Sequence, residues 1–293
     1  MSYSLESINL DFEKNFHAVF NKPELIQSYL KKRSNKFDEI IKKEFLQREL
    51  ETDFALIALG GYGRKELFPS SDIDLSIIQF DRKTKKIEEI KDFIGWLWTL
   101  KVKVGHSVRT VKDIENITRS DLKEFTSYLS HRIIFCKKNK IVSLNSDLKK
   151  ISKQWKKTKF FKAKKLEQHL RFQSFDSTEF SLEPDLKESP GCLRDFQTAL
   201  WILEHCFELK KLQDCKSAKL FSTKEITNIN QSYAHIKTLR FFLNLQSSSN
   251  RISFENQLLL AKKSKLRASK KSSAVEKFMR IFFLHASNLS DFN

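Results

Sequence analysis

The stretch "ALGGYGRKELFPSSDIDLSII", residues 58–78, decides how the chain is read. Three of only six glycines in 293 residues fall here, at 60, 61 and 63, directly after the apolar run "FALIAL" (54–59). Nine residues after Gly63 comes Asp72, then Ile73, Asp74 and Leu75, opening a second β-compatible run, "IDLSIIQF" (73–80). A strand running into glycines brings backbone N–H groups close to a ligand, because no Cβ stands in the way. Such a turn makes a concavity suited to phosphate. Residues two apart on a strand point to one face, so Asp72 and Asp74 form a carboxylate pair. On a hydrophobic strand the pair is expected to be costly unless a cation compensates, and Mg²⁺ is the oxygen-liganded ion that carboxylates share with substrate phosphates. Two such ions about 4 Å apart can clamp the attacking and leaving oxygens of a displacement at phosphorus. A turn with an Asp cap and a solvent-facing Asp is the plainer reading of a lone Asp-x-Asp. The order of strand, glycines and carboxylates within some twenty residues favours a nucleotide site.

Outward from this core, "PELIQSYLKKRSNKFDEIIKKEFLQRELE" (23–51) has helical spacing and a proline in its first turn. "TKKIEEIKDFIGWLWTL" (84–100) reads as a helix and "KVKVGHSVRT" (101–110) alternates like a strand. Beyond about 111 the pattern becomes helical, over 121–137, 143–155, 160–175, 193–209, 223–246 and 273–290. An extended stretch with two prolines, "STEFSLEPDLKESPGCLRDFQTALWI" (177–202), interrupts it. The expected fold class is α+β: a small mixed-sheet domain with N-terminal helices over 1–142, followed by an all-helical domain over 143–293.

A 40% hydrophobic content with 26 phenylalanines supplies a core. No apolar run approaches the roughly 18 residues of a membrane span. The N-terminus shows no signal-peptide pattern, and the four cysteines show no metal or disulfide spacing. The expectation is a cytoplasmic protein. The formal charge of +18 invites a nucleic-acid partner. Its lysines are spread along the chain, however, with one concentration at 261–273, and a solvated basic surface accounts for that spread. Nucleic acid is therefore not the expected partner.

"GGYGRKELFPSSDIDL" (60–75) resembles the signature of the PII uridylyltransferases, bifunctional enzymes that add and remove uridylyl groups in bacterial nitrogen regulation. "VGHSVRT" (104–110), "FSLEPDLKESPGCLRDFQTALWI" (180–202), "RISFENQLLLAK" (251–262) and "VEKFMRIFFLHASNLSDFN" (275–293) resemble further family segments in the family's order. The resemblance implies a nucleotidyltransferase domain of the polymerase β type. Gly60 and Gly61 would hold the UTP triphosphate, and Asp72 and Asp74 would bind Mg²⁺ as the catalytic pair. Arg64, Ser71 and Arg109 would contact phosphates, and Arg194 and Asp195 would close over the nucleotide. The implied acceptor is a tyrosine of a PII-type signal protein. His106 reads as a packed histidine and Trp201 as core. The family's metal-dependent phosphohydrolase (HD) and glutamine-sensing (ACT) domains are expected to be absent from this chain. Lys103 stands at a position that is acidic in some members, Thr99 at one that is usually Asp, and Ser189 and Cys192 where glycine is usual. These departures motivate an alternative, a remnant that binds nucleotide or PII protein without turnover. Charge alone motivates a third reading, an RNA-directed nucleotidyltransferase.

Overall fold

The computed structural model describes residues 4–175 and 181–293, with thirteen α-helices and four strands among them. The first residues of the expected extended stretch, 177–180, lie outside the described residues. The chain runs through α1 (Leu5–Asn21), α2 (Ile26–Gln47), β1 (Phe54–Ala58), the single turn α3 (Gly60–Gly63), β2 (Ile73–Gln79), α4 (Ile87–Thr99) and β3 (Val104–Arg109). It continues with α5 (Val111–Ser120), α6 (Leu122–Leu129), β4 (Arg132–Phe135), α7 (Lys138–Ile151) and α8 (Lys157–Gln173). Last come α9 (Leu193–Phe207), α10 (Asp214–Ser217), α11 (Thr223–Gln246), α12 (Phe254–Lys263) and α13 (Ala274–Phe292). The class is α+β, as the sequence leads one to expect.

Two compact units result, one of Leu30–Lys156 joined by Leu5, the other of Glu6–Tyr29 with Lys157–Asn293. The division falls at Lys156 rather than at 142. The reason is that α7 turns Leu144, Leu148 and Ile151 into the sheet unit's core.

The sheet has the order β3-β2-β1-β4, with β2 and β3 parallel and β1 antiparallel to both its neighbours. One face carries Phe54, Leu56, Ala58, Ile73, Leu75 and Ile77, packed on Phe37, Ile41 and Phe45 of α2 and on Phe93 and Leu97 of α4. The other carries Ala55, Ile57, Leu59 and Ile78, packed with Ile114, Tyr128 and the apolar side of α7. Strand alternation explains the sorting, and each fully buried Leu, Ile or Phe contributes about 1.5–3 kcal/mol. Because β1 is buried on both faces, its sequence is uniformly apolar. Thr110 opens α5 with a reciprocal capping box to Asp113, so "VGHSVRT" ends as strand exit and helix cap.

One element departs from expectation. The helix read over 121–137 stops at Leu129, and Arg132–Phe135 leaves it to become β4, paired with β1. Only the first half of that segment has helical period. "RIIF" is too short to signal a strand by itself, and its pairing partner lies more than seventy residues earlier.

In the second unit α11 is buried almost continuously from Ser232 to Asn244. Phe12 and Phe16 of α1 lie against Phe241 and Phe242, with ring centroids 4.3 and 4.4 Å apart. Leu186 N–H donates to Asn250 O and Ile252 N–H to Pro184 O, each at 2.9 Å, which holds the proline segment against residues 250–252. The four cysteines are unpaired, and no helix among the described residues is long and apolar enough to cross a membrane.

The rings of His235 of α11 and His285 of α13 lie against each other, tilted by 30°, with centroids 4.2 Å apart. Burial holds His285 down to about 4, and burial together with the neighbouring His285 holds His235 well below the ordinary value. The unfolded chain therefore binds more protons than the folded one between about pH 6.5 and 4. The associated stability is fully present above about pH 6.5 and is lost as pH falls toward 4, by about 3 kcal/mol for His285. Thermal melts at pH 7.5 and 4.5 should show this loss, and a His285→Gln variant should show a smaller difference between the two pH values.

Candidate active site

The glycine segment is a turn set against the end of the sheet. Leu59 continues β1 in extended form, and its N–H donates to the Asp74 carbonyl at 2.9 Å. Gly60 then takes φ +54°, which L side chains rarely adopt, and the chain closes a single helical turn with Gly63 N–H donating to Leu59 O at 2.8 Å. A Cβ on Gly63 would stand 1.9 Å from the Ser130 carbonyl oxygen and 2.9 Å from that of Ala58. Nothing larger than glycine fits there.

Two residues that sequence reasoning passed over hold the turn. Arg132 of β4 makes a bidentate pair with Asp38 of α2 at 2.8 and 3.0 Å and donates to the carbonyls of Gly63 and Tyr62, each at 3.2 Å. Tyr62 donates its hydroxyl to Asp38 at 2.7 Å, and burial, then Asp38, pushes its phenol far up. The only signal for Arg132 was its place before a short β-branched run, and Asp38 looks like any polar residue of a helix.

The carboxylate of Asp74 lies beside Gly60 and Gly105. A Cβ on Gly60 would be 3.4 Å from its Oδ2, and one on Gly105 would be 2.9 Å from its Oδ1. Gly105 is the register partner of Asp74 across the β2–β3 pair. Asp72 precedes β2 by one residue, and alternation puts its side chain on the Asp74 face. Both carboxylates are exposed. The expected burial penalty that would demand a cation is therefore not there, and the pair's claim on a metal rests on its geometry alone. Two carboxylates on one face, with room kept by glycines on both flanks, suit a single divalent ion whose other ligands come from substrate and water. The strands flanking β2 read "FALIA" and "VGHSVR", without an acid, and no group of three or more metal-ligating side chains occurs among the described residues.

The other expected site residues are occupied locally. Arg64 donates to Glu66 at 3.0 Å and to Ser130 at 3.3 Å. Arg109 makes a bidentate pair with Glu124 at 2.8 and 3.1 Å, and hydrogen bonding to Glu124 raises its pKa. Ser71 donates its N–H to Phe68 O at 3.1 Å in the turn before Asp72. Arg194 and Asp195 belong to the helical unit. There Arg194 pairs with Glu188 at 3.2 Å and Gln197 at 3.3 Å. Asp195 is fully buried, bonded to Arg171 and Gln168, and accepts the Gly191 N–H at 2.7 Å. Burial raises its pKa to about 6, against the opposing effect of Arg171. His106 packs edge-on to Trp98 at 5.7 Å, and Trp201 is buried. Ser189 and Cys192 keep negative φ, so neither position demands glycine.

Residues 159–293 match the family model described as GlnD PII-uridylyltransferase. A bifunctional uridylyltransferase/uridylyl-removing enzyme of Pseudoalteromonas translucida is 35% identical over 89% of this chain and 30% of the relative. The chain belongs to the PII-uridylyltransferase family. Proteins of the same description from Hydrogenovibrio crunogenus and Haemophilus influenzae are 33% and 34% identical, each over 97% of this chain and 33% of the relative. The chain thus spans about a third of the length of the curated relatives it matches. Matching segments lie in both compact units, since the relatives' similarity reaches across nearly the whole chain.

The glycines give separable expectations. Gly63→Ala forces backbone against backbone and should destabilise the protein by several kcal/mol or prevent its folding. Gly105→Ala meets only the movable end of Asp74, so thermal stability should change by less than about 1 kcal/mol while nucleotide transfer falls at least tenfold. Thermal melts and a transfer assay on both variants check this.

Proposed function

We propose that this chain transfers UMP from UTP to a tyrosine hydroxyl of a PII-type signal protein, with Mg²⁺ held by Asp72 and Asp74. The observation that carries the reading is the carboxylate of Asp74, set beside Gly60 on one side and Gly105 on the other; strand alternation gives Asp72 the same facing. Bound there, Mg²⁺ would neutralise charge on the triphosphate and orient it for an in-line displacement. The acceptor oxygen bonds to the α-phosphorus as the bond to the β-phosphate bridge breaks, pyrophosphate leaves and the phenolic proton passes to solvent. Gly60 and Gly61 present the first N–H groups of their turn, which have no acceptor within it, to the phosphates. The Arg132–Asp38 pair keeps that turn fixed while charge moves. Arg64 and Arg109 can serve the phosphates only by leaving Glu66 and Glu124. Two carboxylates support one resident ion more readily than the two ions the sequence suggests.

A second reading, binding of nucleotide or PII protein without turnover, is favoured by one observation: neither strand beside β2 supplies a further acid. Labelled UTP, Mg²⁺ and a PII-type protein from the same organism separate the two. The first reading predicts label on the acceptor with release of pyrophosphate, and the second predicts retention of UTP without either. Asp72→Asn and Asp74→Asn should each lower transfer by at least 10³-fold, the loss of several kcal/mol of transition-state stabilisation. Because both side chains are exposed, thermal stability should move by no more than about 0.5 kcal/mol. Unchanged transfer in either variant would remove the pair from the reaction.

A further inference from the structure

The parallel register of β2 and β3 carries a consequence for the residue just before β3. Ile73 pairs with Val104 and Asp74 with Gly105, and Ile73 N–H donates to the Lys103 carbonyl at 2.9 Å. The pairing ends there, and its register carried one step further sets Lys103 opposite Asp72. Alternation gives Lys103 the facing of Gly105, which is the face of Asp72 and Asp74. Neighbouring strands are about 4.8 Å apart, well within the reach of a lysine side chain. Lys103 is exposed, as are both carboxylates. The nearby guanidiniums are engaged elsewhere, Arg64 by Glu66 and Arg109 by Glu124. Lys103 is thus the cation at the entry to β3 whose register meets the pair.

We propose that Lys103 sets the site's balance between divalent metal and nucleotide: its positive charge weakens the affinity of Asp72 and Asp74 for a divalent cation and strengthens metal-free binding of the nucleotide triphosphate. The inference rests on the reading of the pair as a metal and nucleotide site. A fixed ammonium repels an incoming dication and attracts a polyphosphate, so one substitution must move the two affinities in opposite directions. A merely structural role for Lys103 would move both together or neither.

The test uses the full chain at low ionic strength, where exposed charges are least screened. Free Mn²⁺ is titrated by electron paramagnetic resonance without nucleotide, and UTP binding is measured by calorimetry in excess EDTA. Wild type, Lys103→Ala, Lys103→Glu and Asp74→Asn are compared. Relative to wild type, Mn²⁺ should bind several-fold tighter to Lys103→Ala and at least about tenfold tighter to Lys103→Glu. Metal-free UTP should bind more weakly to both, most weakly to Lys103→Glu. These differences should shrink as salt rises toward 0.5 M. Equal Mn²⁺ affinities in wild type and both Lys103 variants, or no Mn²⁺ binding even by Lys103→Glu, would overturn the inference. So would parallel movement of the two ligands. Loss of Mn²⁺ binding in Asp74→Asn with no effect at Lys103 would refute the inference while leaving the site reading intact. Wild-type Mn²⁺ binding by Asp74→Asn would refute both.

Discussion

The sheet unit depends on one close approach, that of Gly63 to the carbonyls of Ser130 and Ala58. Because no side chain intervenes, the glycine turn lies against the end of β1 and the corner between α6 and β4. Arg132 leaves that corner and binds the carbonyls of the turn it supports. Asp38 orients the guanidinium from α2 and takes the Tyr62 hydroxyl as well. Helix, turn and edge strand are therefore fixed by one charge-assisted network, whose bonds are stronger than neutral ones. Removing either charge would leave the other half-buried without its partner, so the network resists piecemeal change.

That rigidity is what gives an exposed carboxylate a defined position. The backbone of Asp74 is placed by the Leu59 N–H bond to its carbonyl on one side and by the register with Gly105 on the other. A site built this way costs little stability, because its charged groups stay in water and only glycines are spent on making room. Arg132 and Asp38 serve both stability and positioning, whereas Asp72 and Asp74 stay exposed.

Much of this was legible in the sequence, for identifiable reasons. Glycine scarcity made Gly60, Gly61 and Gly63 conspicuous, and a two-residue spacing on an apolar run fixed the common face of Asp72 and Asp74. The apolar β1 and the alternating β3 announced themselves by local pattern. The elements that escaped depend on distant partners. β4 exists because β1 has a free edge, which four residues cannot advertise, and the role of Arg132 follows from β4. The allocation of residues 6–29 to the helical unit likewise comes from phenylalanine packing against α11, which no local period encodes. The expectation of a costly buried pair failed because Asp72 lies outside the strand and both side chains sit at its open end.

Net charge was the least informative number. The chain is formally +18, yet the arginines around the motifs are each matched by a carboxylate: Arg64 by Glu66, Arg109 by Glu124, Arg132 by Asp38, Arg194 by Glu188 and Arg171 by Asp195. The surplus is carried largely by lysines, whose solvated charges are screened within about 10 Å at 0.1 M salt. A distributed lysine surface raises the local concentration of any polyanion without choosing among them. Selection has to come from groups with fixed geometry, and beside the carboxylate pair the backbone of the glycine turn has such geometry. The arginines become available to a phosphate only by exchanging one anion for another. Such an exchange favours a ligand that carries several charges at once, because a polyphosphate can compensate more than one displaced carboxylate, whereas a single phosphate cannot.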